Sequence, residues 1–305
     1  MSLASAQVVV IGGGCVGCST AYHLARAGLT DVAVLERDYL GSGASGRCAG
    51  GMRQQWSAEG NVRLARLSIE AFSRFEEEVG QDVEFVQGGY LLTAYSEEWA
   101  ETLRAEIAVQ NSCGVPTRFV DPREVAEIAP MLGTEGMVGA SYGPTDGKAN
   151  PFLVVKGYSE RAREMGVRFL TKTEVAGLEV SGDAVTGVLT SRGRISAEWV
   201  VDAAGGHAAN VAAMASVRVP VLPYRHQILV TEPVAACHDP MVIDILHDIY
   251  FCQAKHGAFL VGQTDKDQPP GDDISSGWRF PQQIARKMTR LAPRLAGLRV
   301  LRQWA

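Results

Sequence analysis

Residues 8–28 read VVVIGGGCVGCSTAYHLARAG, and two motifs overlap in them. Gly12, Gly14 and Gly17 spell G-x-G-x-x-G, a dinucleotide-binding turn when a strand precedes it and a helix follows. Cys15 and Cys18 spell C-x-x-C, a redox or metal motif. The glycines have the full context. Residues 7–11 are apolar and β-rich, a helical stretch runs to about Ala27, and Gly28 suits a helix C-terminus. A second apolar strand ends near Glu36, 19 residues after Gly17. Gly12 permits the tight turn, Gly14 lets a pyrophosphate approach the backbone, and Gly17 lets the helix pack close to the strand. The helix start, with Cys15 and Val16, offers unpaired N–H groups to phosphates. Glu36 can accept both hydroxyls of an adenosine ribose and would repel a 2′-phosphate, which argues against NADP. Arg37 beside it weakens that exclusion. The cysteines lack two further zinc ligands, and Cys48, Cys113, Cys237 and Cys252 are isolated. The glycines therefore read as the binding element and the cysteines as space-filling, with no metal site.

These motifs sit in a chain of 305 residues, 46% hydrophobic, with net charge -5. Such a balance disfavours sequence-independent nucleic-acid binding. No apolar run is long enough to span a membrane, and VVVIGGG reads as a strand rather than a signal peptide, with Met1-Ser2-Leu3 as an addition before it. Six scattered cysteines suit a reducing, cytoplasmic setting. Leu64, Leu67, Ala71, Phe72, Phe75 and Val79 keep helical spacing and predict one amphipathic helix. Strands are expected over 83–95. Helices are expected after Ser96, after Asp121-Pro122 and after Asn150-Pro151, each with a capping residue in place. A meander with turns at Ser181-Gly182-Asp183 and Arg192-Gly193 leads to a final apolar strand, Trp199 to Ala203, that again runs into glycines. From Arg218 onward longer strands and a helix near 281–292 take over. The expected fold class is α/β, α+β overall. A Rossmann-like nucleotide-binding domain comprises 1–84 and 146–217, and a mainly antiparallel-sheet substrate domain comprises 85–145 and 218–305.

A second loop, GSGASGRCAGGMR from Gly41, begins five residues after Glu36. Its hydroxyls and backbone N–H groups could follow an extended cofactor from pyrophosphate to ring, and loops this glycine-rich are usually functional. Together with TDGKANPF, VVDAAGGHAANVA, RHQILVTEP and GAFLVGQTD, these stretches resemble FAD-dependent amino-acid and amine oxidoreductases of the D-amino-acid oxidase type. The resemblance is closest to sarcosine oxidase β-subunits and to dehydrogenases of glycine, proline and D-amino acids. It implies FAD bound in extended form. Gly12, Gly14 and Gly17 would hold its pyrophosphate and Glu36 its adenosine ribose. Ser42, Ser45 and Gly46 would lie by the pyrophosphate and ribityl chain, and Arg47, Gly50, Gly51 and Met52 near the isoalloxazine. Val175 would meet adenine through its backbone, and Ala204, Gly205 and Gly206 would form a second cofactor turn.

The implied reaction is oxidation of the C–N bond of a sarcosine-, glycine-, proline- or D-amino-acid-type substrate by hydride transfer to flavin, followed by imine hydrolysis. A carboxylate substrate calls for a fixed cation, and Arg53, just after the loop, fits that need. Tyr250 and Gln253 fall where the family places substrate-side groups, and His226, which opens a strand, could tune amine protonation. His207 stands where relatives often carry an aromatic residue, and LRQWA looks like a strand that relatives continue, so the ring side is expected to be incomplete in this chain. Two other readings stay open: an NAD-dependent dehydrogenase, and a non-catalytic flavin-binding subunit of a larger complex, whose chemistry resides in a partner. Assembly into a homo- or hetero-oligomer is open as well.

Overall fold

A computed structural model describes residues 4–264 and 268–305. Met1-Ser2-Leu3 and Asp265, at the end of the GAFLVGQTD stretch, lie outside the described residues. Strand β1 (Ser5–Ile11) leads through the glycine turn into helix α1 (Cys15–Arg26), which returns the chain to β2 (Val32–Leu35). Helix α1 buries Gly17, Cys18, Ala21, Tyr22 and Ala25 on one face. The glycine-rich loop ends in the short β3 (Gly51–Met52). The amphipathic segment that follows is two helices, α2 (Glu59–Ser73) and α3 (Phe75–Val79), broken at Arg74. The break alters the burial pattern: Val62, Ile69, Phe75 and Val79 are buried, whereas Leu64 and Leu67 are 66% and 56% exposed.

Of the strands expected over 83–95, one forms, β4 (Tyr90–Ala94), with an isolated bridge at Val86. The three caps read from sequence are made. Ser96 accepts from Trp99 N at the start of α4 (Glu97–Ser112). After β5 (Arg118–Val120), Asp121 accepts from Glu124 N and opens α5 (Pro122–Ile128). Beyond β6 (Gly139–Gly143) and β7 (Gly147–Lys148), Asn150 accepts from Phe152 N and opens α6 (Pro151–Glu164). Each cap satisfies a backbone N–H that the first helical turn leaves without a partner.

Next come β8 (Arg168–Leu170), β9 (Val175–Ser181), β10 (Ala184–Thr190) and β11 (Gly193–Asp202). The last strand of the meander and the "final" apolar strand are one continuous element, β11, which pairs antiparallel with β10 at its start and parallel with β1 at its end. After α7 (Ala208–Ala213) the chain forms β12 (His226–Pro233), β13 (Met241–Asp244), β14 (Ile249–Gln253), β15 (Ala258–Thr264), α8 (Arg279–Leu291) and β16 (Val300–Trp304). No helix among the described residues is long and apolar enough to cross a membrane.

The strands sort into two large sheets. The six-stranded sheet, in order β8-β2-β1-β11-β10-β9, draws on residues 5–35 and 168–202. The eight-stranded sheet, β16-β12-β15-β14-β13-β4-β6-β5, draws on 90–143 and 226–304. In the first, chain order reverses between β1 and β11, the switch point where open α/β sheets bind ligands beyond the carboxyl ends of their strands. In the second, alternation puts Leu91, Val242, Phe251 and Val261 against α8, while Tyr90, Met241, Cys252 and Leu260 face the glycine-rich loop.

His238 is buried beside the eight-stranded sheet and stacks on Phe251 at 5.0 Å. Burial, aided by nearby Lys148, lowers its pKa from 6.5 to about 4. Between those values the unfolded chain takes up a proton that the folded chain refuses. The stability associated with neutral His238 is therefore complete above about pH 6.5 and falls by about 3 kcal/mol as pH drops to 4, at 1.36 kcal/mol per unit. Denaturant unfolding across that range should show this loss in the wild type and a flatter profile in His238→Phe.

Candidate functional site

The carboxyl ends of β1 and β11 meet at the glycine turn. Gly12 has φ +112°, and a Cβ there would lie 2.3 Å from the Ala203 carbonyl oxygen. A Cβ on Gly17 would lie 1.9 Å from the Gly12 oxygen, so helix and strand touch through bare backbone. Gly14 differs: its Cβ would meet only the Ser45 hydroxyl, at 3.1 Å. That opening lies at the start of α1, where no side chain caps the helix from Gly14. Cys15 N–H donates instead to Ser45 Oγ at 2.9 Å, a hydroxyl standing where a phosphate oxygen could accept. The cradle therefore fits a dinucleotide pyrophosphate. Val16, next on the helix, is 69% exposed.

Glu36 closes the turn. Its carboxylate accepts from Gly13 N at 2.9 Å, from Asp38 N at 2.8 Å and from Ser42 Oγ at 3.3 Å. One side chain thus ties the turn to the second loop. Thr173 N–H donates to the Glu36 carbonyl, which brings Val175, at the start of β9, to the same end of the site. Arg37 shares a 2.8 Å hydrogen bond with His207 Nε2, and His207 Nδ1 lies 3.4 Å from Asp272. His207 therefore stands beside the Glu36-Arg37 end of the turn. Ala204, Gly205 and Gly206 follow β11, with Ala204 Cα packed against Gly12.

All six cysteines are free. Burial raises the Cys15 thiol to about 11 and the Cys18 thiol to about 12, so both are protonated at neutral pH. Cys18 Sγ contacts the Gly13 carbonyl at 3.5 Å and fills the turn's underside. Among the described residues no cluster of His, Cys, Asp or Glu could hold a metal.

The second loop is fixed along its length. Gly46 N–H donates to Gly41 O, and the Arg47 guanidinium turns back onto the carbonyls of Ser42 and Gly43 rather than reaching outward. Trp304 Nε1 donates to Arg47 O at 2.9 Å. A Cβ on Gly50 would lie 2.0 Å from Ala149 O, and one on Gly51 1.7 Å from the Tyr90 hydroxyl. Gly51 and Met52 pair with Lys148 and Gly147. The loop thus runs between the TDGKAN segment and the eight-stranded sheet.

Arg53 follows directly. Its guanidinium carbon lies 4.1 Å from the centre of the Trp56 ring. Burial lowers its pKa, opposed by Tyr90, Asp146 and Glu106. Among the described residues no carboxylate lies within ion-pair reach of it. The neighbouring Gln54 and Gln55 are anchored by Asp146, which is fully buried and which the sequence reading missed. Asp146 accepts from Gln54 N at 2.8 Å, from Gln54 Nε2 at 3.1 Å and from Gln55 Nε2 at 2.9 Å, and Gln55 accepts in turn from Ser141. Burial raises the Asp146 pKa and these hydrogen bonds oppose the rise. Asp146→Asn would put an amide donor against glutamine donors. It should cost about 2 kcal/mol in denaturant unfolding and loosen the backbone that carries Arg53.

Across the sheet, one row crosses four strands: Tyr250, Gly262, Ile228 and Trp304 are register partners. The Tyr250 ring lies across Gly262, where a Cβ would come 2.0 Å from Cζ. Burial raises the Tyr250 pKa, so its hydroxyl stays protonated. His226 shares this face by alternation, and burial lowers its pKa, which favours the neutral ring. Gln253 does not join them. Three residues beyond Tyr250, it points to the opposite face, where its amide accepts from Cys237 N and His238 N and donates to the carbonyls of Val234, Ala235 and Gly257. The amide is consumed by loop backbone and has no capacity left for a substrate.

The chain resembles several known proteins. It is 28% identical to the sarcosine oxidase β-subunit of Rhodobacter capsulatus over 98% of its own length and 73% of that protein's. It is 30% identical to rat mitochondrial dimethylglycine dehydrogenase over 86% of its length, but spans only 31% of that longer chain. Among solved structures, L-proline dehydrogenase from P. horikoshii superposes with a TM-score of 0.94 at 36% identity, covering 99% of this chain and 81% of that one. The family of FAD dependent oxidoreductases known as DAO matches residues 7–305. With glycine turn, acidic clasp and pinned second loop in place, the match over nearly the whole length settles the lineage: the chain belongs to the DAO family of FAD-dependent oxidoreductases.

Proposed function

We propose that this protein oxidises the C–N bond of a small amino acid or secondary amine, of the sarcosine, glycine, proline or D-amino-acid type. The observation that carries the reading is Arg53: a half-buried guanidinium without a carboxylate partner among the described residues, two residues beyond Gly51 on the second loop. The names of the relatives, which include sarcosine oxidase, dimethylglycine dehydrogenase and proline dehydrogenase, support the same class.

When bound, FAD supplies the acceptor for a hydride equivalent from the carbon beside nitrogen. The chain's own residues do the rest. Gly12, Gly14, Cys15, Val16 and Gly17 offer backbone to the pyrophosphate, and Glu36 and the Val175 backbone serve the adenosine end. Ser42, Ser45 and Gly46 follow the chain of the cofactor, with Ala204, Gly205 and Gly206 opposite. Gly50, Gly51 and Met52 back the ring, while Arg47 and Arg37 brace the loops. Arg53 grips a substrate carboxylate and sets the height of the reacting carbon. Tyr250 presents a protonated hydroxyl and a ring wall. Neutral His226 is suited to take a proton from a substrate ammonium.

We assign 1–84 and 146–217 to cofactor binding and 85–145 and 218–305 to the substrate side, a division that the strand membership of the two sheets supports. Relatives named as subunits support assembly into an oligomer, and six free cysteines support a cytoplasmic setting. The test is a dye-linked assay over N-methyl, cyclic and D-amino acids, with analysis of the products. Dye reduction matched by equal amounts of carbonyl compound and freed amine is the expected result. Reduction by 2-hydroxy acids alone would overturn the C–N assignment, and inertness toward the whole panel would favour a non-catalytic subunit.

A further inference from the structure

The apolar stripe of α2 was expected in the core, yet its Leu64 edge is open. It borders a cavity of about 360 Å³ that also contains Arg53. Met52, Trp56, Leu64, Ile69 and Phe72 form most of the wall. Asn61 and Ser68 add two neutral polar groups, and of the described lining residues Arg53 alone is charged. On α2 the lining positions include 61, 64, 68 and 72, so a single helical face forms this wall. The volume is at the small end for ligand pockets.

The two chemistries of this cavity select one kind of occupant. The Arg53 guanidinium lies over the Trp56 ring, 4.1 Å from its centre, with its N–H groups uncommitted among the described residues, and burial lowers its pKa. A desolvated guanidinium needs an anion, and its planar fork fits a carboxylate. The rest of the wall gains nothing from a charged or strongly hydrated group and gains from apolar area removed from water. Glycine or sarcosine would satisfy Arg53 and leave Leu64 and Phe72 in water. We propose that the α2 face is a side-chain subsite, and that the preferred substrate is an amino acid whose carboxylate sits on Arg53 and whose apolar substituent of several carbons lies along Trp56, Leu64 and Phe72. This rests on the reading of Arg53 as the carboxylate-binding residue.

The test needs neither turnover nor flavin. The protein as purified is titrated by calorimetry with acetate, propanoate, butanoate and pentanoate, which share one charge and differ in apolar length. Each added methylene should tighten binding about fourfold, as burial of a CH₂ group implies. Leu64→Gln, at the exposed rim, should flatten the series. Leu67→Gln, one helical turn along and outside the lining, should keep it. Equal affinity along the series in the wild type, or an unchanged slope in Leu64→Gln, would overturn the subsite. The two readings fail separately: acetate binding unaltered in Arg53→Met would remove the carboxylate anchor and the subsite with it, whereas a flat series that still requires Arg53 removes the subsite alone.

Discussion

Gly14→Val should leave a folded protein that no longer retains FAD, whereas Gly17→Ala should damage the fold itself. The two glycines share one motif but not one constraint. At Gly14, φ is −79°, which any residue can adopt, and a Cβ would meet only the Ser45 hydroxyl, the end of a side chain that can rotate away. A larger side chain there projects into the space that a pyrophosphate must enter. At Gly17 a Cβ would lie 1.9 Å from backbone oxygen, with no flexible group to yield. Overpacking of that kind costs about 3 kcal/mol. Thermal unfolding without added cofactor, alongside flavin content after purification, checks both. Unchanged melting with less than a tenth of the wild-type flavin is expected for Gly14→Val, and a melting temperature several degrees lower for Gly17→Ala. Full flavin retention by Gly14→Val would contradict the cradle.

Arg53→Met should raise KM for amino-acid substrates by roughly a hundredfold or more, the penalty for removing one partner of a desolvated charge pair. The effect should depend on the substrate: an amine without a carboxylate should lose little. Arg53→Lys should recover only part of the loss, because an ammonium cannot make the bidentate contact or keep the same stacking on Trp56. Initial rates on matched pairs, such as proline against pyrrolidine, make the comparison. Equal losses on both members would show Arg53 to be a structural residue.

The strand-turn-helix-strand unit around the glycine turn was legible because its constraints are local. Gly12, Gly14, Gly17 and Glu36 lie within one strand-turn-helix-strand unit, and spacing alone carries the geometry. What escaped was non-local or depended on facing. Asp146 holds Gln54 from 92 residues away, and His207 meets Arg37 across 170. Nothing in either local segment signals such a pairing. Leu64 and Leu67 fit a helical period, but the kink at Arg74 and the cavity beside Arg53 decide which positions face inward. Gln253 was paired with Tyr250 as a substrate-side group, but both lie in β14, where the period of two turns Gln253 to the core side. Likewise β11 was read as two pieces because its first half pairs with a hairpin partner and its second with β1.

The most direct test of the amine-oxidation account is the absorption spectrum of the purified protein, recorded anaerobically before and after addition of amino acids of the N-methyl, cyclic and D-series. The account predicts a flavin spectrum that one of these substrates bleaches, with the decarboxylated analogue of that substrate far less effective. A flavin spectrum that no amine or amino acid bleaches, or a preparation with no flavin at all, would contradict it.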